Sequence, residues 1–271
     1  MRILPAALAL LLSLTPAWAD DVTTKKGICM GKGGGSIRDV EKRVESLNVG
    51  WHYNWTPKWD GKNIKDAPFV PMIWAYNKWA GPAVKELKIA KSKADANPLL
   101  GFNEPDGKDQ ANMSVQAALA FWPELEKTNR RLGSPATVHG DNEWMRSFMK
   151  GAEEKSLRVD FVCVHWYGQN DPGKFIERLE AIHELYGKPI WITEFAIADW
   201  SAKSRKDNNQ SPRDVLRFMK AVLPKLEKLD FVERYAWFHA NPDHPKLGPS
   251  ALFDAEGNLT ELGEFYSSFS K

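Results

Sequence analysis

Apolar residues gather in eight short runs along the chain: 25–31 (KKGICMG), 49–55 (VGWHYNW), 68–74 (PFVPMIW), 97–105 (NPLLGFNEP), 135–140 (PATVHG), 159–168 (VDFVCVHWYG), 188–196 (KPIWITEFA) and 232–240 (VERYAWFHA). Each run leads through a polar or aromatic bend into a longer stretch, in several cases with helical spacing. Runs that are apolar on both faces suit strands covered outside by helices and filled inside by side chains. Eight of them in alternation with helices predict an α/β fold, a (β/α)₈ TIM barrel.

The intervening stretches support this reading. Ser36 opens SIRDVEKRVESL with Asp39 three residues on, a capping-box variant, and Val40, Val44 and Leu47 share one helical face. Helices are also expected over 114–131, 172–186, 212–229 and 259–269. Pro123 and Pro224 fall inside two of these, so a split or a kink is expected in each. The stretches after the second and third runs lack a clear period. No linker divides the chain, so residues 20–271 are expected to form one domain.

The first 19 residues break the pattern. Arg2 precedes an apolar run from Ile3 to Leu14, and Ala17, Trp18 and Ala19 make an AxA site before Asp20 and Asp21. This reads as a signal peptide, because about twelve apolar residues fall short of the roughly 20 that span a bilayer. The protein is therefore expected to be secreted or periplasmic, with no membrane span.

Composition narrows the function classes. The 271 residues carry 37 Lys plus Arg against 35 Asp plus Glu, so no concentrated positive surface is expected and nucleic acid is not an expected partner. A monomer is expected. The only cysteines, Cys29 and Cys163, sit in apolar runs at a spacing that matches no zinc or redox motif, and are read as buried thiols rather than a disulfide. The cluster GKGGGS at 31–36 lacks the order of a phosphate-binding loop and reads as a flexible bend before the Ser36 cap.

In such a barrel the strand ends converge on one face, where the active site lies. They bring together Tyr53, Asn54, Trp55, Trp74, Tyr76, Asn103, Glu104, His139, His165, Trp166, Tyr167, Glu194, Trp200, Trp237 and His239. So many indoles and phenols beside polar groups suit flat rings with C–H faces and hydroxyl edges, which describes sugars. Glu104 follows Leu99, Leu100 and Phe102, and Glu194 follows Ile190 and Ile192. A carboxylate in an apolar run is costly unless it is paired, hydrogen-bonded or used. Alternation places Ile190, Ile192 and Glu194 on one face, and Leu100, Phe102 and Glu104 on another. Two carboxyls facing each other across a glycosidic bond suit retaining hydrolysis. His52, His139, His165 and His239 lie on separate strands with no HxH or HExxH pair, so neither a metal nor another cofactor is expected.

With GFNEPD (101–106) and WITEFA (191–196) the chain resembles the clan of retaining barrel glycosidases that carry their two carboxylates on the fourth and seventh strands. Through YNW (53–55), PMIW (71–74) and HWYG (165–168) it is most similar to glycoside hydrolase family 128, β-1,3-glucanases of the glycosyl hydrolase catalytic core. The resemblance implies Glu104 as acid/base, Glu194 as nucleophile, Asn103 on the sugar 2-hydroxyl and Trp237 as the platform under the reacting sugar. It implies a β-glucan polysaccharide or oligosaccharide as the partner and endo action on β-1,3 links. Tyr167 is read as holding Glu194 or stacking, and His139 and His165 as binding hydroxyls or orienting a carboxylate. Tyr53, Trp55, Trp166 and Trp200 are read as substrate-binding walls, while Trp122, Trp144 and Trp191 are assigned to packing. Two alternatives stay open: another β-linked polysaccharide, or a glycan-binding barrel without catalysis.

Overall fold

Five of the expected runs form continuous parallel strands: the first (Lys26–Cys29), second (Trp51–Tyr53), sixth (Val162–Trp166), seventh (Ile190–Phe195) and eighth (Val232–Phe238). A computed structural model of the chain describes residues 24–33, 35–77, 79–87 and 97–270, so the expected signal peptide lies outside the described residues. The five strands are hydrogen-bonded in the order second, first, eighth, seventh, sixth. The third, fourth and fifth runs close the ring through single parallel bridges: His52 to Phe69, Met72 to Leu100, Leu99 to Leu132, Asn103 to Ala136, and Gly133 to Phe161. Each run therefore pairs with its sequence neighbours and the eighth with the first, which is the eight-stranded parallel barrel expected. Pro68, Pro71, Pro98 and Pro135 explain why these three stay irregular, since a proline has no N–H to give the ladder. The fifth run pairs at 132–136, earlier than its apolar residues suggested.

Two apolar layers follow from strand alternation. Cys29, Trp51, Tyr53, Met72, Leu100, Phe161, Cys163, Trp191 and Ala236 fill the barrel interior, and Ile28, Val162, Val164, Ile190, Ile192, Tyr235 and Trp237 pack outward with the helices. Gly27 is the neighbour of Trp51, and a Cβ there would lie 2.3 Å from the indole. The bare position is what lets an indole cross the interior. Both cysteines are buried and free.

The helices are α1 (Ile37–Ser46), α2 (Ala80–Glu86), α3 (Val115–Glu126), α4 (Glu143–Glu154), α5 (Pro172–Tyr186), α6 (Pro212–Lys228) and α7 (Glu261–Ser268). Ser36 and Ser211 make reciprocal capping boxes with Asp39 and Asp214. Neither α3 nor α6 is split by its internal proline: both continue through Pro123 and Pro224. Helix α3 stops at Glu126 instead of reaching 131, and α4 is one that the periodicity does not single out. At the opposite ends, Lys25 Nζ donates to the carbonyls of Leu226, Glu227 and Leu229, and Lys26 Nζ to those of Tyr266, Ser267 and Phe269. Two adjacent lysines thus serve the unpaired C-terminal carbonyls of α6 and α7. Burial pulls the Lys26 ammonium down to about 8 despite the nearby Glu227. No helix of the described residues is long and apolar enough to cross a membrane.

Candidate active site

Glu104 ends the fourth run in an unusual backbone. Its φ is +40°, its N–H donates to Ala136 O at 2.6 Å, and its carbonyl accepts from Gly107 N at 2.9 Å. Of the six non-glycine residues with positive φ among those described, three are Asn, which adopts this region more readily than other side chains, and one is the small Ser156. The other two are Glu104 and Trp55, and both sit at the barrel mouth. Strain held at a mouth of this kind marks a place where side-chain direction matters more than local stability. The loop is fastened by Asp106, which accepts from Val138 N and from Asn142 Nδ2, while Asn142 Oδ1 caps α4.

Glu194 reaches the mouth by another device. Strict alternation would turn it to the helices with Ile190 and Ile192, both of which pack outward. The register corrects this: Val164 pairs with Ile192 and His165 with Glu194, so Thr193 is an extra residue on the seventh strand. This bulge reverses the parity and turns Glu194 inward. The shared face expected from sequence for Ile190, Ile192 and Glu194 is therefore wrong, although the inward direction of Glu194 is right. Leu100 and Phe102 likewise pack in different layers, because the fourth run is not a regular strand.

The two glutamates and His165 form one cluster. A carboxylate oxygen of each and a ring nitrogen of His165 lie within 4.8 Å of one another. His165 Nδ1 is 2.9 Å from Glu104 Oε1, and its Nε2 stands 3.5 Å from Glu194 Oε1 without a hydrogen bond. Burial, the largest influence on the ring, opposes its charge, but the Glu194 and Glu104 carboxylates outweigh that and leave its pKa raised. Glu194 accepts from the Tyr53 hydroxyl at 3.1 Å, from Trp55 Nε1 at 2.6 Å and from the Tyr167 hydroxyl. Burial, reinforced by the Glu194 charge, holds both phenols well above their usual pKa, so they remain donors. The spacing of the trio would admit a divalent ion, yet Glu194 already faces three N–H and O–H donors that a cation would have to displace.

Around this cluster lies a cleft of about 1240 Å³. Of the residues expected at the site, Glu104, Glu194, Asn103, Trp55, His139, His165, Trp166, Tyr167 and Trp200 line it. Asn103 donates to Gln110 Oε1 at 3.3 Å, and its Oδ1 is buried with no protein partner. His139 is exposed, and Trp200, 57% exposed, is pinned by its Nε1 to Tyr167 O at 2.9 Å.

Two expected residues are elsewhere. Trp237 is fully buried in the outer layer, with Nε1 donating to Ser250 O at 2.9 Å, so it cannot be a platform for a sugar. Its neighbour Phe238 lines the cleft instead. Tyr53 is also fully buried and meets Glu194 rather than a substrate. Alternation in VERYAWFHA carried the signal for the eighth strand. The small Ala236 pairs with Gly27 in the crowded interior, which puts Phe238 inward and Trp237 outward. Trp237→Leu is expected to cost about 2–4 kcal/mol, as a large-to-small core change does, and to leave the KM for laminarin unchanged. Thermal melts and initial rates check this; a raised KM with an unchanged melt would restore a platform role. Sequence reading also passed over Gln110, His244 and Arg178 in the lining, and gave Trp74 no role. Gln110 and His244 lie in irregular loops with no periodic signal.

The model of the family described as glycosyl hydrolase catalytic core matches residues 30–266. Among solved structures, a GH128 subgroup I endo-β-1,3-glucanase from Amycolatopsis mediterranei, a glutamate-to-alanine mutant with laminaripentaose, is 32% identical, covers 91% of this chain and 100% of its own, and has a TM-score of 0.76. A second glutamate-to-alanine mutant, altered at a different glutamate and holding laminaritriose and laminaribiose, is 30% identical over 91% of this chain and 99% of its own, also at 0.76. A GH128 subgroup V exo-β-1,3-glucanase from Cryptococcus neoformans is 26% identical over 90% of this chain and 98% of its own, at 0.68. The alkali-sensitive linkage protein 1 of Schizosaccharomyces pombe is 32% identical over 235 residues, 81% of this chain and 40% of that protein. The chain thus spans about two fifths of this curated relative.

Proposed function

The chain belongs to the glycosyl hydrolase catalytic core family and, within it, to glycoside hydrolase family 128, and from that premise we propose that it is a retaining endo-β-1,3-glucanase with Glu104 as acid/base and Glu194 as nucleophile. The observation that carries this reading is that an oxygen of one carboxylate lies within 4.8 Å of an oxygen of the other inside an aromatic cleft. Retaining enzymes hold their carboxyl groups about 5–5.5 Å apart, whereas inverting ones need about 6.5–9.5 Å to admit a water.

In the first step a Glu194 oxygen bonds to the anomeric carbon as the glycosidic C–O bond breaks, and the leaving oxygen takes a proton through Glu104. His165, 2.9 Å from Glu104 Oε1, fixes the direction of that carboxyl. In the second step water attacks the anomeric carbon, gives its proton to Glu104 and releases Glu194. Asn103 Oδ1, buried and unpartnered, can accept the 2-hydroxyl of the reacting sugar, a bond able to tighten in the transition state. No step calls for a metal, so chelation is expected to leave the rate unchanged.

The β-1,3 linkage and endo action rest on the relatives: the subgroup I enzyme from Amycolatopsis mediterranei, at 30–34% identity in its several structures, is an endo-β-1,3-glucanase solved with laminari-oligosaccharides. Rates on laminarin, curdlan, xylan, mannan and carboxymethyl cellulose test the linkage. Laminarin and curdlan are expected to be cleaved fastest, with products of mixed length from the first minutes. Preference for a β-1,4 polymer would overturn the linkage, and release of a single short product would overturn endo action. The export implied by residues 1–19, one domain over 20–271 and a monomeric state complete the proposal.

A further inference from the structure

The two oxygens of Glu194 keep unequal company. Oε1 accepts Trp55 Nε1–H at 2.6 Å and part of the Tyr53 hydroxyl proton, which Tyr53 shares with Thr193 O at the same 3.1 Å. Oε2 accepts from Tyr167 alone among the described residues. A carboxylate oxygen offers two lone-pair sites. Both are occupied on Oε1, while one stays free on Oε2.

Trp55 is built for its contact at a cost. Its φ is +63°, a conformation that a bulky side chain rarely adopts, and its ring stands edge-on to Tyr53 at 5.4 Å and to Phe238 at 5.8 Å. A wall that only stacked on sugar would need neither the strained backbone nor a nitrogen aimed at a carboxylate.

We infer that Trp55 is a positioning residue that immobilises Oε1 of Glu194 through its indole N–H, so that Oε2 is the oxygen that bonds to the anomeric carbon. This rests on Glu194 being the nucleophile. As the Oε2–carbon bond forms, the glycosidic bond breaks and the leaving oxygen takes its proton through Glu104. Negative charge then leaves Oε2, where Tyr167 donates, while Trp55 holds Oε1 through both steps.

The test replaces Trp55 by 3-benzothienylalanine, which keeps the bicyclic shape and exchanges N–H for sulfur, with Trp55→Phe as a second variant in case the first folds poorly. A hydrogen bond to a charged group suggests a fall in kcat of about 10- to 100-fold on an aryl β-laminaribioside with a good leaving group, with little change in KM. The acid limb of kcat/KM is expected to move to higher pH, because the ionised carboxylate loses a donor. The other titratable groups facing Glu194, namely Tyr53, Tyr167, Cys29, and His165 with Glu104 behind it, are unchanged in the variant. Wild-type kcat and an unmoved acid limb in a folded benzothienyl protein would overturn the inference and leave Trp55 a stacking wall. Failure of the nucleophile reading is distinguishable, because wild-type enzyme would then release the inverted α-anomer first.

Discussion

Glu194→Gly protein is expected to lose turnover of laminarin by on the order of 10⁴-fold or more, the scale on which removal of a nucleophile acts. The missing side chain leaves room beside the anomeric carbon, and Tyr53, Trp55 and Tyr167 leave three donors facing it. Those donors suit a small anion. Azide is therefore expected to restore attack on a β-glycoside with an activated leaving group. One displacement at the anomeric carbon inverts it, so the product is the α-glycosyl azide, identified by NMR. A β-glycosyl azide from this variant would remove Glu194 from the nucleophile role. Release of the β-anomer first by wild-type enzyme is the matching expectation, since two inversions restore configuration.

Glu104→Ala should separate substrates by their leaving groups. On laminarin, whose leaving sugar needs a proton, a loss of about 10²–10⁴-fold is expected, the range of general acid catalysis. On an aryl glycoside with a good leaving group, glycosylation should be slowed little, because that group departs unprotonated. The glycosyl enzyme then accumulates, and azide can attack it from the face vacated by Glu104. The product is a β-glycosyl azide, opposite in configuration to that from Glu194→Gly. Equal losses on both substrate types would argue that Glu104 acts by positioning alone. His165 bears on both glutamates through its two ring nitrogens, so the two variants are not independent perturbations of separate sites.

Much of this architecture was legible from the spacing of apolar runs. All eight runs occupy barrel positions, the Ser36 cap begins α1 where its side chain implies, and α6 begins at Pro212 as expected. These are local matters: capping oxygens and helical periods act within a few residues, so sequence carries them without help from the fold. Boundaries were less legible. Prolines in the third, fourth and fifth runs reduce the strands to single bridges, whereas prolines in α3 and α6 leave the helices unbroken because packing of their apolar faces prevails.

The sequence by itself determined that Glu104 and Glu194 would meet at the barrel mouth, because both end runs that feed one face of a parallel ring. The direction of individual side chains was decided only by tertiary structure. An extra residue at Thr193 reversed the face of Glu194, a change visible only against the neighbouring sixth strand. On the eighth strand alternation holds, and only its sense awaited the fold: Ala236 lies inside, so Trp237 faces the helices and Phe238 the cleft. Trp55 read as a wall because an indole face suits a sugar; its N–H became a ligand of Glu194 when strands far apart in sequence brought the carboxylate to it. Strand parity is a local rule with a period of two, and one inserted residue is enough to reverse it.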